Sequence, residues 1–174
     1  MNEVIFHSPW DGKLAISTLL LSCVLLGGGA LTISVALSTQ MPRMARVGLV
    51  FAGIIPLAAF VGAGLYSPRK ISLTTEGLIV HRLRGPVIVP FEKISRIDEI
   101  GAEMLAASTR EFGVSGVFGY FGNFRNKNIG RYSLYASRSD GYVLVRADAP
   151  VVMTPERPNE FVGAVRERMA MLRR

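Results

Sequence analysis

Two uncharged stretches near the start of the chain decide its architecture: residues 14–37 read LAISTLLLSCVLLGGGALTISVAL, and residues 47–66 read VGLVFAGIIPLAAFVGAGLY. No charged residue occurs from position 14 to position 42, a gap of 29 residues, or from position 47 to position 68, a gap of 22 residues. An α-helix needs about 20 apolar residues to cross the ~30 Å hydrocarbon core of a bilayer. The sequence therefore predicts a two-helix transmembrane hairpin whose short link makes the helices antiparallel neighbours.

A cleaved signal peptide is the competing interpretation of the first stretch. The leader Met1–Trp10 is not basic, and the apolar run is longer than the roughly 7–15 residues of a signal core. A second span also follows at once. We therefore expect a multi-pass protein that keeps both helices in the lipid bilayer.

Basic residues that flank the two spans predict their orientation. Five lie at the outer ends of the hairpin, namely Lys13, Arg69, Lys70, Arg82 and Arg84, whereas the link holds Arg43 and Arg46. Lys and Arg concentrate on the cytoplasmic side of membrane proteins. We expect an inner-membrane location with both termini in the cytoplasm. The anchors expected at that membrane interface are Trp10, Lys13, Tyr66, Arg69 and Lys70.

Small residues in the two spans are candidates for close helix–helix packing. Gly28 lies in a glycine cluster of the first span, and Ala58 and Gly62 are four apart in the second. Small residues at this spacing let helix backbones approach in a bilayer. The alternative is that glycine and alanine are simply common in membrane spans.

A water-facing domain is predicted for residues 67–174, with residues 1–66 assigned to the leader and the hairpin. Short β-type runs separated by turns are Lys70–Thr75, Leu78–Leu83, Val87–Phe91, Arg131–Ala136, Tyr142–Ala147 and Val151–Met153. Such runs predict an antiparallel sheet or barrel. Ser139-Asp140-Gly141 predicts a β-hairpin between two of them. The spacing of Phe91, Ile94, Ile97 and Ile100 fits either a helix or a bulged strand.

The end of the chain reads as an amphipathic helix that begins at Pro158. Its apolar stripe consists of Phe161, Val165, Met169 and Leu172. A stripe of this spacing indicates packing against the core. The predicted fold class is therefore α+β, with the transmembrane hairpin followed by a sheet domain and a closing helix.

Four segments of this region resemble the bacterial pleckstrin-homology-like (bacterial PH) domain family. They read ISLTTEGLIVHRL, VPFEKISRIDEI, GVFGYFGNF and TPERPNEFV, and the resemblance extends over about residues 67–172. It implies a PH-like antiparallel β-barrel or sandwich of seven strands, bent and partly open, capped by the C-terminal helix. It implies no chemistry, and members often follow two membrane helices.

One segment rich in glycine and aromatic residues is the candidate interaction surface. Its members are Phe118, Tyr120, Phe121, Phe124, Arg125, Lys127 and Arg131. A phosphate-binding loop is excluded, because no Gly-Lys-Ser/Thr follows. Basic and aromatic residues beside a bilayer suit its headgroups, whereas a membrane anchor makes nucleic acid an unsuitable partner. The alternative is structural: glycines permit tight bends and the aromatic rings fill the barrel.

No pattern in the sequence predicts catalysis. Two histidines and one cysteine provide no zinc site, no nucleophile elbow occurs, and we expect no enzyme activity, no metal and no cofactor. The net charge is +7, most of it in the water-facing domain, which favours acidic partners. The predicted function is a membrane-anchored, non-catalytic interaction module at the cytoplasmic face. Its partner would be a protein, a second copy of the chain (a homo-oligomer) or anionic lipid headgroups. The alternatives are an accessory subunit whose hairpin docks to a larger membrane complex, and an enzyme with an unrecognised site.

Overall fold

A computed structural model describes residues 4–172 of the chain. The helices are α1 (Gly12–Ser38), α2 (Arg43–Tyr66), α3 (Ala102–Ala106) and α4 (Pro158–Leu172), and a 3-10 turn covers Phe91–Lys93. The strands are β1 (Val4–His7), β2 (Lys70–Leu73), β3 (Gly77–His81), β4 (Val87–Pro90), β5 (Arg96–Ile100), β6 (Thr109–Ser115), β7 (Tyr120–Asn126), β8 (Gly130–Ala136), β9 (Tyr142–Arg146) and β10 (Val151–Met153).

The two long helices are candidate membrane-spanning helices by length and composition. Only 6% of the most apolar stretch of each is buried, whereas the core helix of a water-soluble protein would be mostly covered. Leu19, Leu31 and Leu37 of α1 are each more than 60% exposed. The α2 helix begins four residues earlier than the predicted span, because a charged side chain such as Arg43 limits burial in lipid and does not prevent helix formation.

The close approach of α1 and α2 lies at Gly53 and at Gly29, a member of the glycine cluster. A Cβ added to Gly53 would lie 2.7 Å from Thr32 Oγ1 and 3.2 Å from the Gly29 carbonyl oxygen. A Cβ added to Gly28 or Gly62 would meet no described atom within 4 Å. Ala58 is exposed as well. Sequence spacing identified small residues but could not tell which helix face they occupy.

Within residues 4–172 the strands form two sheets that pack as a sandwich and do not close into a barrel. The four-stranded sheet has the order β1-β2-β3-β4, and the six-stranded sheet has the order β5-β9-β10-β8-β7-β6. The predicted α+β class with a PH-like sandwich and a closing helix is confirmed. The six-stranded sheet is not wholly antiparallel, because β10 runs parallel to β8.

The predicted hairpin around Ser139-Asp140-Gly141 is wrong. Strand β10 lies between β8 and β9 and pairs with both, so the chain crosses over one strand position instead of turning back directly. Residues 91–100 form the 3-10 turn followed by β5. The side chains of Phe91, Ile94, Ile97 and Ile100 are all buried.

The leader contributes a strand to the water-facing domain, although the division at residue 66 grouped it with the hairpin. Strand β1 pairs antiparallel with β2, with Phe6 opposite Ile71. Phe6 is 5% exposed and belongs to the main core. A four-residue strand flanked by polar residues has too little pattern to be recognised without its partner, and burial of its one large apolar side chain explains its position.

The main core lies between the two sheets and is closed by α4. It combines Leu73 and Val80 of the smaller sheet with Val145 and Met153 of the larger one. From α4 it receives Phe161 and Val165, both fully buried, with Met169 packed at the edge, while Leu172 is 58% exposed. The predicted apolar stripe therefore faces the core over its first three members.

Candidate functional site

The loop between β6 and β7 lies against the ends of both long helices. At its tip Phe118 packs on Phe60 of α2, with ring centroids 4.7 Å apart. The same ring lies 5.9 Å from the ring of Trp10, which precedes α1. An added Cβ at Gly64 would lie 3.5 Å from the Phe118 ring, so glycine at that position permits the close approach. One aromatic side chain thus joins the leader, α2 and the sheet domain.

Hydrogen bonds hold the same loop in place. The Phe118 N–H donates to Thr18 Oγ1 of α1 at 3.0 Å, and Ser67 Oγ donates to the Phe118 carbonyl oxygen at 2.5 Å. Ser17 Oγ donates to the Gly116 carbonyl oxygen at 2.5 Å. Phe118 has a φ of +57°, a left-handed conformation that costs a residue with a Cβ on the order of 1 kcal/mol or more. The contacts on both sides of the loop offset that strain.

Asp11 ties the start of α1 to the loop between β8 and β9. Its side chain caps the helix by accepting from the Leu14 N–H at 2.7 Å, and it accepts from the Ser139 N–H and hydroxyl at 3.1 and 3.0 Å. Partial burial alone would raise the pKa of Asp11, but the hydrogen bonds from Leu14 and Ser139 outweigh it and hold the pKa below its usual value. The carboxylate is therefore ionised at neutral pH, where it favours the positive end of the helix.

The predicted interaction segment is divided by the fold. Phe121 and Phe124 are buried in the sheet domain, at 5% and 8% exposure, and Phe124 stacks on Tyr132. Tyr120 is half-buried. These three rings are buried or half-buried, whereas Phe118 reaches the helix ends.

One acid, Glu111, pairs with two of the three basic residues of that segment. Glu111 Oε1 accepts from Arg125 and Glu111 Oε2 accepts from Arg131, each at 2.7 Å. Hydrogen bonds from Arg131 and then Arg125 lower the pKa of Glu111. Lys127 is exposed, so this surface carries less positive charge than its sequence indicates.

A second group of basic residues lies beside the end of α2 and has no such acid. We call Arg69, Lys70, Arg82 and Arg84 the juxtamembrane basic cluster. None of them forms a salt bridge with a side chain among residues 4–172. The Arg82 guanidinium lies over the Tyr66 and Tyr135 rings, and the Arg84 guanidinium lies over Tyr66. The Arg84 N–H also donates to the Leu65 carbonyl oxygen at the end of α2, at 2.9 Å.

The predicted interface anchors lie together at this end of the molecule. Trp10 is 44% exposed, Lys13 and Arg69 are exposed, and Tyr66 and Lys70 are half-buried. Sequence reasoning missed the contact residues Thr18, Phe60 and Glu111. The basic residues after the second span did carry a signal, which predicts the orientation and, for Arg69 and Lys70, the interface anchors.

No metal-binding cluster accompanies this arrangement in the described part of the chain. Residues 4–172 contain no group of three His, Cys, Asp or Glu side chains able to hold a metal ion. Cys23 is a free, exposed thiol on α1, and His81 Nε2 is 2.8 Å from the Ser72 hydroxyl.

Comparison with known proteins gives one match. A family model described as "Bacterial PH domain" matches residues 69–169, which begin just before β2 and end within α4. No curated protein and no solved structure gives a significant match. The matched region is more than half of the 174 residues.

Proposed function

The chain belongs to the bacterial PH domain family, and from that membership we propose that it is a membrane-anchored, non-catalytic interaction module. The family supports an interaction module in general terms. Our proposal adds that the hairpin spans the cytoplasmic membrane twice and that the domain binds its partner at the cytoplasmic membrane surface.

The observation that carries the proposal is the position of Phe118 between the leader and α2. A domain on a flexible linker would sample many distances from a membrane, whereas this one contacts the hairpin through a ring cluster and through Thr18 and Ser67. From Leu19 to Ser38, α1 continues beyond these contacts for about 30 Å at 1.5 Å per residue. That length equals a hydrocarbon core, so the domain would rest at the headgroups.

The distribution of charge supports the cytoplasmic orientation. The juxtamembrane basic cluster and Lys13 lie at the domain end of the hairpin, whereas Arg43 and Arg46 lie at the other end. Positive charge favours the cytoplasmic side. A partner held at this face would be a protein, a second copy of the chain or anionic lipid.

A topology measurement tests this proposal. Alkaline phosphatase, active only in the periplasm, and a fluorescent protein, active only in the cytoplasm, would each be fused to the C-terminus. We expect a signal from the fluorescent protein alone, with the chain resistant to carbonate extraction. Phosphatase activity would reverse the orientation, and extraction by carbonate would exclude membrane insertion.

A second candidate function is that of an accessory subunit whose hairpin docks to a larger membrane complex. The specific observation is that Gly28 and Ala58 face away from the α1–α2 contact and are exposed, so that small residues remain available for another helix. Co-purification separates the two functions. Loss of a stoichiometric partner on Gly28→Leu would favour the hairpin, and loss on Lys127→Glu would favour the domain surface.

A further inference from the structure

We propose that the cleft between α2 and strands β6 and β7 binds one anionic phospholipid, with its phosphate at Arg82 and an acyl chain along α2. This inference deepens the proposed function and rests on it, because the lipid would come from the membrane that the hairpin spans. The cleft has a volume of about 490 Å³, within the roughly 300–1,000 Å³ of ordinary ligand sites.

Small residues form the helix side of the cleft. Ala59, Gly62 and Ala63 lie along the last two turns of α2, and the facing strands contribute Gly113 and Gly122. On the helix side these small residues leave space that larger side chains would fill. Gly113 and Gly122 instead let β6 and β7 approach closely, because an added Cβ at either would clash with the backbone of the other strand. Ile55, which lies one turn before Ala59 on the same face of α2, is 61% exposed. An acyl chain of the surrounding lipid therefore has an apolar path into the cleft.

Phe112 forms the opposite apolar wall and has no cover within the described chain. Its side chain is 78% exposed on β6, although it lines the cleft. A large aromatic side chain in contact with water is unfavourable. Phe112 lies beside the end of a membrane-spanning helix, so the nearest apolar surface is lipid. The same lipid would cover the exposed edge of the sheet.

Arg82 supplies the charge at the polar end of the cleft. Its Nε donates to the Gly85 carbonyl oxygen at 3.1 Å, and its guanidinium lies 5.3 Å from the Tyr135 ring centroid and 5.8 Å from that of Tyr66. These contacts fix the group while leaving its terminal nitrogens without an acidic partner among residues 4–172. A planar guanidinium held in this way suits a phosphate diester. The Arg84 guanidinium lies over the Tyr66 ring as well.

Native mass spectrometry of the full chain tests the proposal. The protein would be released from nanodiscs that contain phosphatidylcholine with a minor fraction of phosphatidylglycerol. We expect one retained phosphatidylglycerol per chain, and Arg82→Gln should lower this preference at least tenfold. Arg157→Gln is the matched charge control, because Arg157 pairs with Glu160 on α4, and it should change nothing.

Two variants test the apolar part of the cleft. Ala63→Leu should fill it, and Phe112→Ser should remove one wall without disturbing the core, because that side chain is exposed. Both should lower retention of either lipid, whereas Gly28→Leu, which adds bulk where an added Cβ meets no described atom, should not. Thermal unfolding in detergent verifies that each variant is folded. If the Ala63→Leu variant is unfolded, lipid retention by the Phe112→Ser variant alone tests the apolar part of the cleft.

Three results would overturn the proposal. The first is that the wild-type protein retains no phosphatidylglycerol in preference to phosphatidylcholine. The second is that Arg82→Gln and Arg157→Gln have equal effects. The third is that a second copy of the chain occupies the cleft and is released by Ala63→Leu. Displacement of the lipid by excess inorganic phosphate would also contradict a bound acyl chain. If the chain is inserted but holds no lipid, only this inference fails, because topology tests the proposed function separately.

Discussion

Phe6 packs edge to face against Phe161, with ring centroids 5.0 Å apart and an interplanar angle of 86°. Phe6 lies in β1, before the hairpin, and Phe161 lies in the first turn of α4. Both side chains are buried in one core. The segments on either side of the two long helices therefore form a single folded unit, and the hairpin is inserted between its first strand and the rest.

Substitution of Phe161 should destabilise this unit strongly. Phe161→Ala removes a fully buried ring, a change that typically costs about 3–5 kcal/mol, and it also removes the edge-to-face contact with Phe6. Chemical denaturation followed by circular dichroism measures the free energy of unfolding.

Glu160→Ala is the matched control on the polar side of α4. Glu160 forms an exposed ion pair with Arg157 at 2.7 Å, and pairs of this kind contribute roughly 0.2–0.5 kcal/mol. Equal losses from the two substitutions would contradict the assigned face of α4.

The leader strand should stabilise the domain when the hairpin is removed. We expect residues 67–174 alone to unfold cooperatively, because the two sheets and α4 retain most of the core. A chain in which residues 1–10 are joined to residue 67 by a Gly/Ser linker should unfold at a higher temperature, since it restores the β1–β2 ladder and Phe6. Differential scanning calorimetry compares the two, and Phe6→Ser in the linked chain is the control. Identical transitions would mean that β1 adds nothing.

Phe118 should be required for docking of the domain on the hairpin. Phe118→Ala removes the ring between Trp10 and Phe60, and for a half-buried aromatic side chain we expect a loss of about 1–3 kcal/mol. Emission of Trp10, the single tryptophan of the chain, should also shift, because its ring neighbour is gone.

Phe118→Gly separates the contribution of the aromatic ring to stability from that of the backbone strain. Glycine adopts a positive φ without strain, so this variant should be less destabilised than Phe118→Ala by up to about 1 kcal/mol. Both variants can be compared by thermal unfolding in the same detergent. Greater stability of the alanine variant would argue that the φ of +57° does not occur in solution.

The contact between α1 and α2 should depend on Gly53. Gly53→Ala places a Cβ 2.7 Å from Thr32 Oγ1 and 3.2 Å from the Gly29 carbonyl oxygen, and forcing atoms into a packed contact typically costs about 1–3 kcal/mol. Gly28→Ala, in open space, should cost nothing. Thermal unfolding of both full-length variants in detergent measures the difference, and equal stability would refute the assigned helix contact.

Charge on the domain surface should produce weak, salt-sensitive binding to anionic vesicles. Each basic residue near such a surface contributes about 1 kcal/mol, and salt screens the attraction. Sedimentation of the isolated domain should occur with anionic but not zwitterionic vesicles. The triple change of Arg125, Lys127 and Arg131 to Glu should abolish it, as should moderate salt. Absence of binding at low salt would favour an acidic protein partner.

Glu111→Gln tests the ion pairs within that surface. Because hydrogen bonds from Arg131 and Arg125 lower its pKa, Glu111 stays ionised at neutral pH and down to a lower pH than an ordinary glutamate. Any stability that these bonds add is present above the unfolded-state pKa and is lost as pH falls through the lowered folded-state pKa. At neutral pH, Glu111→Gln should increase vesicle binding, because it removes the acid that offsets two arginines. Weaker binding would mean that the pairs position the arginines for contact.

Much of the architecture follows from local pattern in the sequence. The long gaps without charge determine the two helices, because length and hydropathy are properties of a continuous segment. The alternation in β2 and β3 and the stripe of Phe161 and Val165 were also readable, since each repeats at the period of its own element. The four segments that resemble the bacterial PH domain family extended this to the class of fold.

Tertiary structure alone decided which of these segments meet. Three features depend on contacts between residues far apart in the chain. They are the insertion of β10 between β8 and β9, the pairing of β1 with β2, and the helix contact at Gly53 instead of Gly28. The same holds for the candidate site, where Phe121 is buried while Phe118 of the same segment reaches Phe60, and where Glu111 pairs with Arg125 and Arg131. Local sequence sets what each element is, because its periodicity is local, whereas burial and charge pairing belong to the partner that folding brings alongside.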